Sequence, residues 1–221
     1  MTSTTRDTLF GGDLVLHQPA KKTGYRVNVD ALLLAGFAHA SRPRRVRRAV
    51  DLGSGVGAVG LSLLHLDAVE QVTFVEIDAR LATLCARNVD ENGWNHRGEV
   101  VNGDVAGYSG SADLVVCNPP YVPPGRGRAP APALAQAKRG ALGVFLDAAR
   151  RVAGRRSRAC FVYPAIEATT LLGELRGRGL EPKRIRFVHA KAEDPARIVL
   201  VECVAGRPGG LVVEAPLVEK R

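Results

Sequence analysis

From Ala49 onward, short apolar runs alternate with longer stretches whose apolar positions recur at helical spacing. Ala49–Leu52, Gln71–Ile77, Gly98–Asp104, Ala112–Cys117 and Ser157–Tyr163 read as strands. Gly57–Leu66, Ala79–Asn92, Lys138–Val152 and Ala165–Arg178 read as helices. Lys183–His189 and Ile198–Val204 are two further strands, and their connection is too short for a crossover helix, so they are expected to pair antiparallel. The alternation predicts an α/β fold: a doubly wound, mostly parallel Rossmann-like sheet with an antiparallel last strand and helices on both faces. Ligands bind such sheets at the carboxyl ends of the strands, where strand order reverses. The loops after Leu52, Ile77, Gly103 and Cys117 are therefore expected to converge on one crevice.

The chain ahead of this region follows a different pattern. Leu14–Gln18 and Tyr25–Val29, on either side of the basic turn Lys21–Gly24, predict a small hairpin. Ala31–Ala38 predicts a buried helix with Asp30 as its N-cap. Ser41–Arg45 reads as a linker. The Gly-, Pro- and Arg-rich stretch 123–132 cannot be regular and follows a strand end, where substrate-contacting loops sit. At 221 residues one domain is expected: 1–45 as hairpin and helix, 46–205 as core, and 206–221 as a weakly packed tail.

Composition narrows the class. No apolar run approaches the ~18 residues of a membrane span, and the N-terminus lacks a signal-peptide core, so a cytoplasmic location is expected. Cys85, Cys117, Cys160 and Cys203 are widely spaced and read as small buried hydrophobes, with no metal site. Lys plus Arg outnumber Asp plus Glu by 31 to 22, a net charge of +9. Arginines cluster at 42–48, at Arg126 and Arg128, and at 150–158. Such an excess favours a polyanion such as RNA; a solvated arginine-rich surface is the alternative.

Candidate chemistry lies at the strand ends. Asp51-Leu52-Gly53-Ser54-Gly55-Val56-Gly57 is a strand, a glycine turn and a helix start. By glycine spacing alone, it also satisfies a dinucleotide fingerprint. Asp51 argues against that, because a carboxylate beside the turn repels a pyrophosphate and attracts an ammonium group. S-adenosylmethionine carries an ammonium and a sulfonium and no phosphate. Backbone amides are the alternative partner for Asp51. Glu76 ends the second strand and can accept both hydroxyls of a ribose, whether of S-adenosylmethionine or of NAD. Asp78 reads as a helix cap. Asp104 either accepts from the cofactor's adenine amino group or bonds its own turn.

Asn118-Pro119-Pro120-Tyr121 is the most specific stretch. An amino group conjugated to a base is a poor nucleophile because its lone pair is delocalised. Two acceptors that take both its hydrogens favour a pyramidal nitrogen. The Asn118 amide oxygen is one acceptor, and the Pro119 carbonyl, fixed by consecutive prolines, is the other. Tyr121 offers a face for a flat base. A plain turn after a buried strand is the structural alternative.

These residues resemble a class I S-adenosylmethionine methyltransferase of the amino-group type. More narrowly, the chain is similar to the bacterial family that methylates adenine N6 next to the anticodon in a valine tRNA. The narrower likeness rests on Val29–Ala35, on Pro123–Gly127 and on Lys191–Val204. It implies that the segment around Asp30 contributes to the cofactor pocket and that tRNA is the partner. Glu193 and Asp194 interrupt the basic cluster that the family often carries in its last hairpin. Methylation of a protein glutamine or of guanine N2, a nicotinamide oxidoreductase and a non-catalytic RNA-binding module are the competing readings. The sequence leaves the oligomeric state open.

Overall fold

The structure, a computed structural model, describes residues 4–20, 27–40, 45–121 and 132–219, with backbone alone for 132–140. A hairpin opens the chain: β1 (Thr4–Leu9) pairs antiparallel with β2 (Leu14–Pro19), joined by a 3₁₀ turn at Phe10–Gly12. The partners therefore differ from expectation. Thr4–Leu9 replaces Tyr25–Val29, whose described residues Val27 and Asn28 are irregular and whose Val29 begins α1 (Val29–Ala40). Thr4–Leu9 is mostly polar, and only a neighbouring strand and helix make it regular.

Strand and helix then alternate: β3 (Val46–Leu52), α2 (Ala58–His65), β4 (Val69–Glu76), α3 (Ala79–Glu91), β5 (Gly98–Asn102), β6 (Ala112–Cys117), α4 (Pro132–Val152), β7 (Ala153–Pro164) and α5 (Ala168–Gly177). β8 (Leu180–His189) and β9 (Ala196–Ala205) form the expected antiparallel pair, and two short strands follow, β10 (Val212–Val213) and β11 (Leu217–Val218). The sheet runs β10-β8-β9-β7-β6-β3-β4-β5, and β9 runs antiparallel to both its neighbours. From β3 the chain steps outward to β4 and β5, then returns to lay β6 on the other side of β3. That reversal is the switch point where such sheets bind ligands.

The two-residue period of each strand separates two cores. Ala49, Phe74, Leu114, Val116 and Cys160 face the layer of α1, α2 and α3. Val50, Leu52, Val75, Val115 and Phe161 face α4 and α5. α2 is buried from Ala58 to Leu64. It sits so close to β4 that a Cβ on Gly60 would lie 2.3 Å from the Phe74 ring. All four cysteines are buried and unbridged. Among the described residues no helix is long and apolar enough to cross a membrane. No group of three His, Cys, Asp or Glu among them could hold a metal ion.

Three further expectations differ. Asn28, not Asp30, precedes α1: its side chain accepts from Asp30 N–H at 3.1 Å. α4 begins at Pro132, earlier than Lys138. The tail is anchored along β8 by β10 and β11.

Asn88 on α3 binds the hairpin to the glycine turn. Its Oδ1 accepts from His17 N–H at 2.6 Å, and its Nδ2 donates to His17 O at 3.0 Å and to Val56 O at 2.9 Å. Asn88 is fully buried, so Asn88→Ala leaves these backbone groups unpaired. The expected cost is on the order of 2–4 kcal/mol, a fall in Tm of about 5–15 °C by thermal denaturation. An unchanged Tm would refute this coupling of hairpin to turn.

Candidate active site

The carboxyl ends of β3 and β6 fix the geometry of the site. Leu52 pairs with Cys117 across them, so Gly53 and Asn118 leave the sheet as neighbours. Both line a cavity of about 640 Å³, within the usual ~300–1,000 Å³ of small-molecule sites. Asp30, Asp51, Gly55, Glu76, Asp104, Pro119 and Tyr121 line it as well. The structure thus brings together residues that the sequence spreads over some ninety positions. Gly57 does not line the cavity; it caps α2 at φ 89°. Arg126 and Arg128 lie outside the described residues.

The turn is held by two carboxylates bonded to backbone. Gly55 N–H donates to Glu76 Oε2 at 2.7 Å, and Asp78 N–H donates to Glu76 Oε1 at 2.9 Å. Gly60 N–H donates to Asp51 Oδ2 at 3.0 Å. Gly55 has φ +57°, and a Cβ there would meet nothing. Conformation rather than crowding demands glycine at this position. Asp51 is 1% exposed. Burial pushes its carboxyl up to about 7, the Gly60 N–H opposes the shift and the Glu76 carboxylate adds to it. Asp51 therefore has the backbone amide partner weighed above and also lines the cavity. Asp104 likewise does both: its Oδ1 accepts from Ala106 N–H at 2.9 Å. Asp78 caps α3 as expected, accepting from Arg80 and Leu81 N–H.

Asn118 is half-buried, and its amide makes no hydrogen bond to another described residue. Pro119 is buried and Pro120 exposed. The Tyr121 ring stands edge-on to Tyr163, with centroids 5.5 Å apart. Burial, with Glu167 and Tyr121 nearby, pushes the Tyr163 hydroxyl up to about 12. Sequence reading missed Tyr163, Phe145 and Ile77. Phe145 comes from α4 to close over Gly53, where a Cβ would lie 2.7 Å from its ring. Ile77, 67% exposed at the cavity, was legible as an apolar residue directly after Glu76.

The charge of the cavity is opposite to that of the protein. Its described lining holds four carboxylates, Asp30, Asp51, Glu76 and Asp104, and no Lys, Arg or His. Such a lining repels a pyrophosphate and suits a cationic ligand. Ser54 adds a buried hydroxyl with no described hydrogen-bond partner beyond the weak Cys85 thiol. Several of the described arginines have structural partners. Arg151 donates to Tyr108, Val105 and Ala106 carbonyls at 2.8–2.9 Å, holding the loop that carries Asp104. Arg158 pairs with Glu202 and Arg45 with Asp67. Part of the arginine excess read as RNA-directed is thus spent inside the fold.

The family model of the methyltransferase small domain matches residues 28–137. A tRNA1(Val) (adenine(37)-N6)-methyltransferase of Erwinia tasmaniensis is 29% identical over 197 residues, 86% of this chain and 79% of that protein. One of the same name from Aeromonas hydrophila is 32% identical over 123 residues, 54% and 51% of the two chains. Others of that name match over less than half their length. Among solved structures, the M. jannaschii tRNA m1G37 methyltransferase superposes with a TM-score of 0.67 at 14% identity, covering 94% of this chain and 58% of that one. A TehB-like SAM-dependent methyltransferase of Corynebacterium glutamicum gives 0.55 at 16% identity, covering 82% and 90%. Over residues 28–137 the protein thus belongs to the family of the methyltransferase small domain, and its sheet has the fold of the methyltransferases on which it superposes.

Proposed function

We propose that the protein transfers a methyl group from S-adenosylmethionine to an exocyclic amino nitrogen of an RNA base, adenine N6 in a tRNA. The observation that carries this reading is Asn118 standing beside the glycine turn at an acidic cavity free of described basic residues. When bound, S-adenosylmethionine supplies an electrophilic methyl on a good leaving group. The protein's task is then mainly to position.

Glu76 has one backbone partner on each oxygen, which leaves lone pairs for two ribose hydroxyls. Asp51 faces the ammonium, directly or through water, and Asp104 the adenine amino group. Gly53 and Gly55 let backbone approach the ligand, and Gly57 starts the helix that follows. Asp30 forms part of the wall. At the reacting end, the Asn118 amide oxygen and the Pro119 carbonyl accept the two amino hydrogens and point the nitrogen lone pair at the methyl group. A nitrogen–methyl bond would form as the sulfur–methyl bond broke, its electron pair staying on sulfur, and the surplus proton of the amino group would leave to solvent from its hydrogen bond to Asn118 or Pro119. Tyr121 stacks on the base, for which Tyr163 gives it an edge-on support. A protein glutamine would meet the same two acceptors. The Tyr121 ring and the net charge of +9 favour a flat base on a polyanion. Arg126 and Arg128 are the proposed phosphate contacts.

Titration calorimetry should show S-adenosylhomocysteine binding; binding of NAD instead removes this reading. Asn118→Ala should lower kcat by about 10²–10³-fold while cofactor affinity stays within a few-fold, and unchanged turnover would show that Asn118 is no acceptor.

Asp51 makes binding pH-dependent. With a carboxyl near 7, it is largely protonated at low pH, and an ammonium beside it favours the ionised form. Binding should therefore release a proton below about pH 7, and affinity should rise as pH rises through that value. The unliganded protein should lose stability over the window from 3.8 to about 7, because the unfolded chain ionises first. Calorimetry in buffers of different ionisation enthalpy reads the proton, and Asp51→Asn should abolish it. Charge reversal at Arg126 and Arg128 should weaken tRNA binding in a salt-dependent way. Unchanged binding at low salt would place the RNA elsewhere.

A further inference from the structure

The tail after β9 returns to the wall of the cavity. β10 and β11 lie on β8 in fixed register, Val212 opposite Arg184 and Leu217 opposite Val188. Glu214 N–H donates to Ile185 O and Glu219 N–H to His189 O, both at 2.9 Å. This register carries Glu219 to Arg197, with which it pairs. The other arm of the Arg197 guanidinium donates to Asp30 Oδ1 at 2.6 Å. Asp30 Oδ2 accepts from the Asn28 amide at 2.8 Å. Asn28 and Asp30 both line the cavity.

A continuous series, Glu219–Arg197–Asp30–Asn28, therefore joins the end of the described chain to the first turn of α1. Both oxygens of Asp30 are engaged, Oδ1 by Arg197 and Oδ2 by Asn28, so its side chain is fixed in place. The Arg197 charge thus serves a carboxylate on each arm, Glu219 and Asp30. Leu217 packs against the core, but Val212 and Val213 are 57% and 63% exposed, so apolar burial supplies only part of the tail's hold. Its glutamates and backbone bonds attach it.

We propose that the C-terminal tail is a working part of the site: Glu219, through Arg197, holds Asp30 and the first turn of α1 where cofactor capture needs them. Arg197 and Glu219 are positioning residues, and the inference rests on the S-adenosylmethionine reading above. The test uses the full chain, S-adenosylhomocysteine calorimetry, thermal melting, and kcat and KM for S-adenosylmethionine. Arg197→Met should weaken binding roughly fivefold to tenfold and raise KM in proportion, with kcat within about twofold. Arg197→Lys, which keeps the charge, should recover most of the affinity. Adding Asp30→Asn to Arg197→Met should cost nothing more, because both act through one pair. Glu219→Gln should weaken binding about twofold to threefold at unchanged Tm. If the unaltered protein binds and both Arg197→Met and Glu219→Gln bind equally well, the inference is overturned and the functional reading stands. A loss that Arg197→Lys does not recover assigns Arg197 to packing and also overturns it. If the unaltered protein binds no S-adenosylhomocysteine, the functional reading falls and takes this inference with it.

Discussion

The parallel pairing of β3 with β6 is the constraint on which the site depends. Both strands are buried at the centre of the sheet, and their register leaves Gly53 and Asn118 side by side. A slip of one residue would turn every side chain of β6 to the wrong face. Leu114 and Val116 would then face α4, and Val115 and Cys117 would face α1. The two cores make that slip costly. Packing away from the cavity thereby fixes Asn118 beside the glycine turn.

Electrostatics divides the molecule in the same way. The chain is strongly basic, yet its cavity is lined by carboxylates. Asp51 and Glu76 are tolerated there because backbone N–H groups meet them. A buried carboxylate with no such partner would be far costlier. The negative charge of the cavity is thereby kept apart from the chain's basic excess. Arginine serves the interior as well as the surface: Arg151, Arg184 and Arg197 bind carbonyls or carboxylates across long sequence separations.

The core strands and helices from Ala49 to Val204 were legible because their pattern is local. Each strand shows its period of two or a continuous apolar run, and each helix its own spacing. The site was legible for a similar reason. Asp51, Glu76 and Asn118 lie within a residue of the ends of β3, β4 and β6, and strand ends in a doubly wound sheet share one edge. Thr4–Leu9 was illegible because its residues are polar; β2 beside it makes it a strand. The tail misled in the same way, since Gly and Pro mark turns but do not reveal that Glu214 and Glu219 find arginines on β8 and β9.

By itself the sequence determined the α/β alternation, the glycine turn after β3 and the Asn118–Tyr121 corner after β6. These follow from neighbours within a few residues, where periodicity and backbone chemistry act directly. The tertiary structure alone decided that Phe145 closes over Gly53 and that Asn88 ties the hairpin to the turn. It also decided that the arginines near Asp104 and Asp30 support the fold. Those contacts join residues far apart in the chain, and their partners are chosen by the packing of whole elements, which no local pattern records.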